Sequence, residues 1–274
     1  MNLLGEKYLR KSALPTIFCP GCGDGTILRA AIDAIDKLGI RDQVALVGGI
    51  GCSGWIPVYI DADVIHTLHG RAIPVATGLK VSDPDRKIIV FTGDGDNVGI
   101  GGNHFIHAAR RNVDITVVMI NNQIYGMTGG QAAPTTPFKA RTQTSPYGNQ
   151  ERSFNACQLA IAAGATFVAR WTSAHPAQLV ATLQKAIMHQ GFAFIEVLTQ
   201  CPTQAGRYIM NTNNPSELVA MLREKTMPIK QYQALTDEEK DSKIPVGVFR
   251  QEQGVQELSD SIYKLSRGVA GCLK

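Results

Sequence analysis

Residues 90–130, VFTGDGDNVGIGGNHFIHAARRNVDITVVMINNQIYGMTGG, constrain the fold more than any other stretch. An apolar run over 87–91 has the length of a buried strand and breaks at Gly93-Asp94-Gly95-Asp96. The pattern predicts a helix over 103–111 and a second, β-branched strand over 115–120 that ends at Asn121-Asn122. A strand–helix–strand unit of this kind makes parallel strands with polar loops at their carboxyl ends. Open α/β sheets keep their ligand crevices there. The two loops bring a carboxylate, Asp94, and an amide oxygen, Asn122, to neighbouring strand ends. Hard oxygen ligands on a glycine-rich turn suit Mg²⁺ bound together with a diphosphate. Alone, Asp94 reads as an ordinary Asp-Gly turn residue. Asn122 behind the next strand favours the ligand reading.

The flanking chain repeats the alternation. A tight loop, Cys19-Pro-Gly-Cys22-Gly-Asp-Gly25, leads into a predicted helix over 26–38 that Gly39 stops. A buried strand over 43–47 runs into Gly48-Gly49-Ile50-Gly51-Cys52-Ser53-Gly54, and a short strand over 64–68 ends at His69-Gly70-Arg71. A helix is expected over 73–80. Residues 131–150, rich in Thr, Pro and Gln, read as a functional loop. Helix over 154–164, strand over 166–171, helix over 175–189 and strand over 192–198 follow, ending at Thr199-Gln200-Cys201-Pro202. The fold class is α/β: a mostly parallel sheet flanked by helices on both faces. Past residue 203 the pattern fades, with one weak helical candidate over 253–265. The division is therefore a cofactor-binding domain over 1–205 and an irregular C-terminal extension over 206–274.

Composition narrows the class. At 274 residues with 44% hydrophobic and 18% charged side chains, the chain can bury an ample core. A net charge of +4, with basic residues scattered, gives no nucleic-acid surface. No apolar run reaches membrane-spanning length. The opening MNLLGEKYLRKS lacks the apolar core of a signal peptide, so the expected location is cytoplasmic.

There are six cysteines, at 19, 22, 52, 157, 201 and 272. Disulfides are not expected in the cytoplasm. Cys19 and Cys22 share one tight loop, while Cys52 and Cys201 each follow a strand. Thiolates are ligands for iron–sulfur clusters and for structural zinc, and an isolated CxxC does not choose between them. The second CxxC or CxxH that usually closes a zinc site is missing. Cys157, in an apolar helix, and Cys272, near the end, read as inert.

Taken together, CPGCGDG, GIGCSGW, HTLHGRA, TGDGD, IGGNHFIHAARRN and NNQIYGMTGGQ resemble, in order and spacing, the β subunits of 2-oxoacid:ferredoxin oxidoreductases, most closely the 2-oxoglutarate type. The resemblance covers residues 15–205 and makes this region a thiamine diphosphate-binding domain. It implies that Cys19, Cys22, Cys52 and Cys201 hold one [4Fe-4S] cluster. It implies that Asp94 and Asn122 bind Mg²⁺ through side chains and Ile124 through its carbonyl. Gly95, Asp96, Gly126 and Met127 would line the diphosphate. Ile50, Gly51, Cys52, Ser53 and His69 would lie along the thiamine, so Cys52 would touch both cofactor and cluster. Trp55 falls where such subunits vary, near the expected substrate pocket.

Several residues keep plainer readings. His69 alone is a loop histidine; beside Gly70-Arg71 it becomes a cofactor or carboxylate contact. His104 and His107 are spaced like a metal pair but read better as helix-face residues under the diphosphate loop. Arg110-Arg111 reads as a solvated or interface face. Thr128 and the Thr135-Thr136 pair close over the diphosphate, contact a partner or merely shape turns.

The implied chemistry is CoA-dependent oxidative decarboxylation of a 2-oxo acid, with one-electron transfer through the cluster to ferredoxin. The glutamate that activates thiamine in such enzymes has no candidate motif; neither Glu151 nor Glu196 suggests the role. It is expected from an α subunit, in an αβ or (αβ)₂ assembly, leaving no catalytic residue of that kind in this chain. Two rivals remain at this point: a non-oxidative thiamine diphosphate lyase or synthase subunit, which would lack iron, and a zinc-bearing interaction module, which would lack thiamine.

Overall fold

The computed structural model describes residues 3–272. In chain order the elements are α1 (Leu3–Tyr8), α2 (Asp24–Leu38), β1 (Val44–Gly48), β2 (Asp63–His66), α3 (Ala72–Ser82), β3 (Lys87–Gly93), α4 (Gly102–Arg110) and β4 (Thr116–Asn121). The two-stranded hairpin β5 (Ile124–Tyr125) and β6 (Gln131–Ala132) follows. Then come α5 (Ala156–Ala163), β7 (Phe167–Thr172), α6 (Pro176–Met188) and β8 (Ala193–Leu198). The C-terminal segment holds α7 (Pro215–Lys225), β9 (Thr226–Pro228), α8 (Ile229–Tyr232), α9 (Asp237–Lys240), β10 (Ile244–Gln251) and α10 (Leu258–Cys272).

The main sheet has the order β2-β1-β3-β4-β8-β7-β10-β9. Every pairing is parallel except β10 against β7. Its central strands are predominantly apolar because both faces are covered. On β3, Ile89 and Phe91 face one core with α2 and α6, while Ile88 and Val90 face the other with α3, α4 and α5. Strand β4 divides the same way, Val118 and Ile120 against Val117 and Met119. The alternation explains why the sequence reads as apolar runs and yet specifies register.

Helix ends follow local chemistry. Gly39 caps α2 in the left-handed region at φ 65°. The Asn155 side chain accepts the Gln158 N–H at the start of α5. The N-terminal segment carries the short helix α1, whose Tyr8 is buried in the core. The extension after residue 205 mixes short pieces with α7, β10 and the 15-residue α10. The sequence predicts no strand there, yet β10 joins the sheet antiparallel to β7, with a bulge between Val248 and Arg250. Pro245, Gly247 at φ 131° and the bulge break the alternation that would have revealed it. The last helix starts at Leu258, inside the expected range, and continues to Cys272. The Cys272 side chain lies outside the described residues. No helix among those described is long and apolar enough to cross a membrane.

The chain passes from β1 outward to β2, then back across to β3 on the other side of β1. The loops after β1 and β3 therefore diverge, and a crevice opens between them at the carboxyl end of the sheet.

Candidate cofactor site at the sheet's carboxyl edge

A cavity of about 210 Å³ occupies that crevice. Ile50, Gly51, Cys52 and Ser53 line it from the loop after β1, and His69 from the loop after β2. Gly93, Asp94, Gly95 and Asp96 come from the end of β3 and its turn. Asn122, Ile124, Gly126, Met127 and Thr128 come from the segment after β4. All the residues expected along the thiamine, the diphosphate and the Mg²⁺ thus meet around one cavity. Asp24 and Tyr125 also line it. Both stand inside motifs quoted for the resemblance, CPGCGDG and NNQIYGMTGGQ, and neither is singled out from sequence.

The turn after β3 carries two buried carboxylates in different settings. Asp94 accepts a side-chain hydrogen bond from the Thr135 hydroxyl, and no cation pairs with it among the described residues. Burial pushes its carboxyl up to about 7, against the opposing effect of the Thr135 bond. Such a carboxylate is held ready for a positive partner, and a divalent cation supplies one. Asp96 is already satisfied. It accepts from the Gly70 N–H at 2.6 Å and the Thr92 hydroxyl at 2.5 Å, and it meets His69 Nδ1 at 2.6 Å. With Asp96 as acceptor, His69 Nδ1 carries the hydrogen. Asp96 therefore fixes the ring of a cavity-lining histidine. Gly49 makes room for this arrangement, since a Cβ there would collide with the Asp96 carboxylate.

The segment after β4 is shaped by its two asparagines. Asn121 Oδ1 accepts the Gln123 N–H at 3.0 Å, and Asn122 Oδ1 accepts the Ile124 N–H at 3.2 Å. Gln123 is left in the left-handed region at φ 64°. The Thr136 hydroxyl donates to the Gln123 carbonyl at 2.6 Å and accepts the Ala133 N–H. The long loop over 131–150 thus reaches back to the turns after β3 and β4, Thr135 to Asp94 and Thr136 to Gln123. Thr128 lines the cavity itself.

Three loops carry four of the cysteines. Cys22 N–H donates to the Cys19 carbonyl at 2.9 Å, closing the first loop. Gln200, beside Cys201, ties that loop down: its side chain donates to the Gly21 carbonyl at 3.0 Å and its carbonyl accepts the Gly23 N–H. The Asp24 carboxylate lies near enough to Cys22 and Cys52 to add to the effect of their burial. Burial is the main cause raising the thiols of Cys22, Cys52 and Cys201, and Cys52 reaches about 12. Buried thiols of this kind stay protonated until a cationic centre takes them as thiolates. Cys19 is exposed. No group of three or more His, Cys, Asp or Glu among the described residues is gathered closely enough to hold a single metal ion.

Other sequence readings resolve simply. Cys157 is buried and donates to Glu196 at 3.3 Å, apart from the other thiols. His104 and His107 lie on α4, where burial and Arg71 hold His104 below its ordinary range. Arg110 and Arg111 are exposed. Trp55 packs on Tyr59 and His66 rather than lining the cavity. Glu151 is exposed, whereas Glu196 is buried against Arg170, with N···O 2.6 Å.

Comparison with known proteins agrees with this arrangement. Residues 49–197 match the family described as thiamine pyrophosphate enzyme, C-terminal TPP binding domain. The chain is 49% identical to the 2-oxoglutarate synthase subunit KorB of Methanocaldococcus jannaschii, over 94% of this chain and 97% of that one. It is 47% identical to the KorB subunit of Archaeoglobus fulgidus, over 94% and 92%. Among solved structures it resembles a 2-oxoglutarate:ferredoxin oxidoreductase from Magnetococcus marinus, with a TM-score of 0.86 and 34% identity. That match covers 97% of this chain and 90% of the other, whose structure contains 2-oxoglutarate, coenzyme A and succinyl-CoA. With its crevice built from the matched segment, the chain belongs to the thiamine pyrophosphate enzymes and, within them, to the KorB subunits of 2-oxoglutarate synthase.

Proposed function

We propose that this chain is the β subunit of a 2-oxoglutarate:ferredoxin oxidoreductase that converts 2-oxoglutarate and coenzyme A to succinyl-CoA and CO₂. Electrons leave through a [4Fe-4S] cluster to ferredoxin. The names of the relatives and the ligands of the Magnetococcus marinus structure support the substrate. One observation carries the oxidative reading: Cys52 lines the cofactor cavity, and Cys201 Sγ lies behind the cavity-lining Gly126, 3.6 Å from where a Cβ there would sit. Two of the four cysteines thus stand beside the cofactor cavity.

Thiamine diphosphate, when bound, supplies the carbanion-stabilising chemistry that lets CO₂ leave a 2-oxo acid. The protein's part is placement. Asp94, Asn122 and the Ile124 carbonyl form the Mg²⁺ set; the uncompensated Asp94 carboxylate and the oxygen character of all three support this. Gly95, Asp96, Gly126 and Met127 line the diphosphate. Ile50, Gly51, Cys52, Ser53 and His69 lie along the thiamine, with His69 oriented by Asp96. Cys19, Cys22, Cys52 and Cys201 ligate the cluster, and the exposure of Cys19 supports electron exit on that side. No glutamate is among the described residues lining the cavity, which supports an activating Glu from an α subunit across the open mouth. The unpaired cysteines suit the cytoplasm.

Anaerobic assay of the assembled α/β enzyme tests the proposal, with 2-oxoglutarate, pyruvate and branched 2-oxo acids each offered with coenzyme A and ferredoxin. The expected result is ferredoxin reduction fastest with 2-oxoglutarate. CO₂ release without ferredoxin reduction would overturn it in favour of a non-oxidative lyase.

A further inference from the structure

Behind the metal-side turn lies a buried polar network that the proposed chemistry does not use. Glu196, on β8, is almost wholly buried. Its Oε2 pairs with Arg170 Nε at 2.6 Å and accepts from the Cys157 thiol at 3.3 Å. Arg170 is anchored in turn to Asn155 Oδ1 at 2.9 Å. The other oxygen, Oε1, accepts from Asn121 Nδ2 at 2.7 Å. This bond fixes which way the Asn121 amide faces. Reversal would set its oxygen against the carboxylate and its NH₂ against the Gln123 N–H. Held as it is, Asn121 Oδ1 accepts the Gln123 N–H at 3.0 Å. The Gln123 carbonyl is taken by Thr136 at 2.6 Å. Gln123, strained at φ 64°, is thus gripped at both its N–H and its C=O. The residues on either side of it are Asn122 and Ile124.

We propose that Asn121, locked in orientation by the buried Glu196–Arg170 pair, is a positioning residue that presents the Asn122 side chain and the Ile124 carbonyl to the cation, and so sets the affinity for Mg²⁺. The inference rests on the assignment of Asn122 and Ile124 as Mg²⁺ ligands. Outer partners of this kind hold first ligands in place, and their loss lowers metal affinity about 10- to 100-fold. The network is fully satisfied and anchored on three adjacent strands, β4, β8 and β7, so it is rigid.

The test is Mg²⁺-dependent binding of thiamine diphosphate to the assembled α/β complex after chelation and dialysis, with iron content and melting temperature recorded alongside. Asn121→Ala should raise the half-saturating Mg²⁺ concentration about 10- to 100-fold, with binding restored at saturating Mg²⁺ and iron content unchanged. Cys157→Ala touches the same carboxylate without reaching the turn and should stay within about twofold of wild type, in contrast to an outer metal partner. If Asn121→Ala does not assemble, Asn121→Ser decides the matter. Its hydroxyl can still accept the Gln123 N–H but is too short to reach Glu196. It should shift the Mg²⁺ requirement in the same direction. An unchanged Mg²⁺ requirement in a folded Asn121 variant, or a loss of binding that no Mg²⁺ concentration restores, would overturn the inference. Asp94→Ala separates the two levels. If it binds thiamine diphosphate like wild type, the ligand assignment itself falls. If it loses binding while the Asn121 variants keep wild-type Mg²⁺ dependence, only the positioning role falls.

Discussion

Replacing Asp94 by Asn should make the cofactor-free protein more stable while abolishing cofactor binding. Asn is isosteric with Asp and keeps an acceptor for Thr135. The magnitude follows from burial. The carboxyl stands at about 7 in the folded chain against an ordinary 3.8, and at ~1.36 kcal/mol per pH unit the ionised group costs folding roughly 4 kcal/mol. A carboxyl whose folded pKa lies above its unfolded one binds its proton more tightly when folded. The cost is therefore small below pH 4, grows as pH rises and is complete above pH 7. The Asp94→Asn substitution removes it, so the gain should be about 4 kcal/mol at pH 8 and under about 2 kcal/mol at pH 5. For a chain of this size a kcal/mol moves the melting temperature by about 2–4 °C, which makes the pH 8 gain on the order of 8 °C. Thermal melts of the chelator-stripped complex at the two pH values measure it. Melting at or below wild type at both pH values would refute the reasoning. It would mean that Asp94 is compensated without a metal.

Other perturbations separate the parts of the account. Cys201→Ser should strip or damage the cluster while thiamine diphosphate still binds; iron analysis at the wild-type level would remove Cys201 from the ligand set. Gly191 sits at φ 122° with its N–H on Asp114, and a Cβ would press on Asn112 and Thr166. Gly191→Ala should therefore cost about 1–3 kcal/mol in a denaturant melt, with cofactor content per folded chain unchanged. The isolated chain should carry iron but fail to oxidise 2-oxo acids until the α subunit is added, because no glutamate lines its cavity among the described residues; full activity of the chain alone in the same assay would contradict this.

Much of this molecule is legible because its site lies at strand ends. The apolar runs that become β1, β3, β4 and β8 each stop at a polar or glycine-rich turn, and those turns hold Cys52, Asp94, Asn122 and Cys201. Side-chain type and place in the chain suffice to find such residues. What stays hidden is set by tertiary contact. Nothing near Glu196 in the sequence marks it as the partner of Asn121, since the two meet only through the pairing of β4 with β8. Thr135 and Thr136 look like turn residues until the long loop folds back on Asp94 and Gln123. Asp96 reads as the second acid of a Gly-Asp-Gly-Asp run, yet it orients His69 from the neighbouring loop. Trp55 packs beside Tyr59 and His66, neighbours that its place in the chain does not announce. Strand β10 escapes notice because Pro245, Gly247 and its bulge disrupt the alternation.

The central claim is that one chain joins a thiamine site to an iron–sulfur cluster through the loop carrying Cys52. Rapid mixing of the anaerobic α/β complex with 2-oxoglutarate and coenzyme A, followed by the visible absorbance and paramagnetic signal of the cluster, tests it most directly. The account predicts cluster reduction within the first turnover in wild type and none in Asp94→Ala, although that variant keeps its iron. A cluster that stays oxidised while wild-type enzyme consumes 2-oxoglutarate would contradict it.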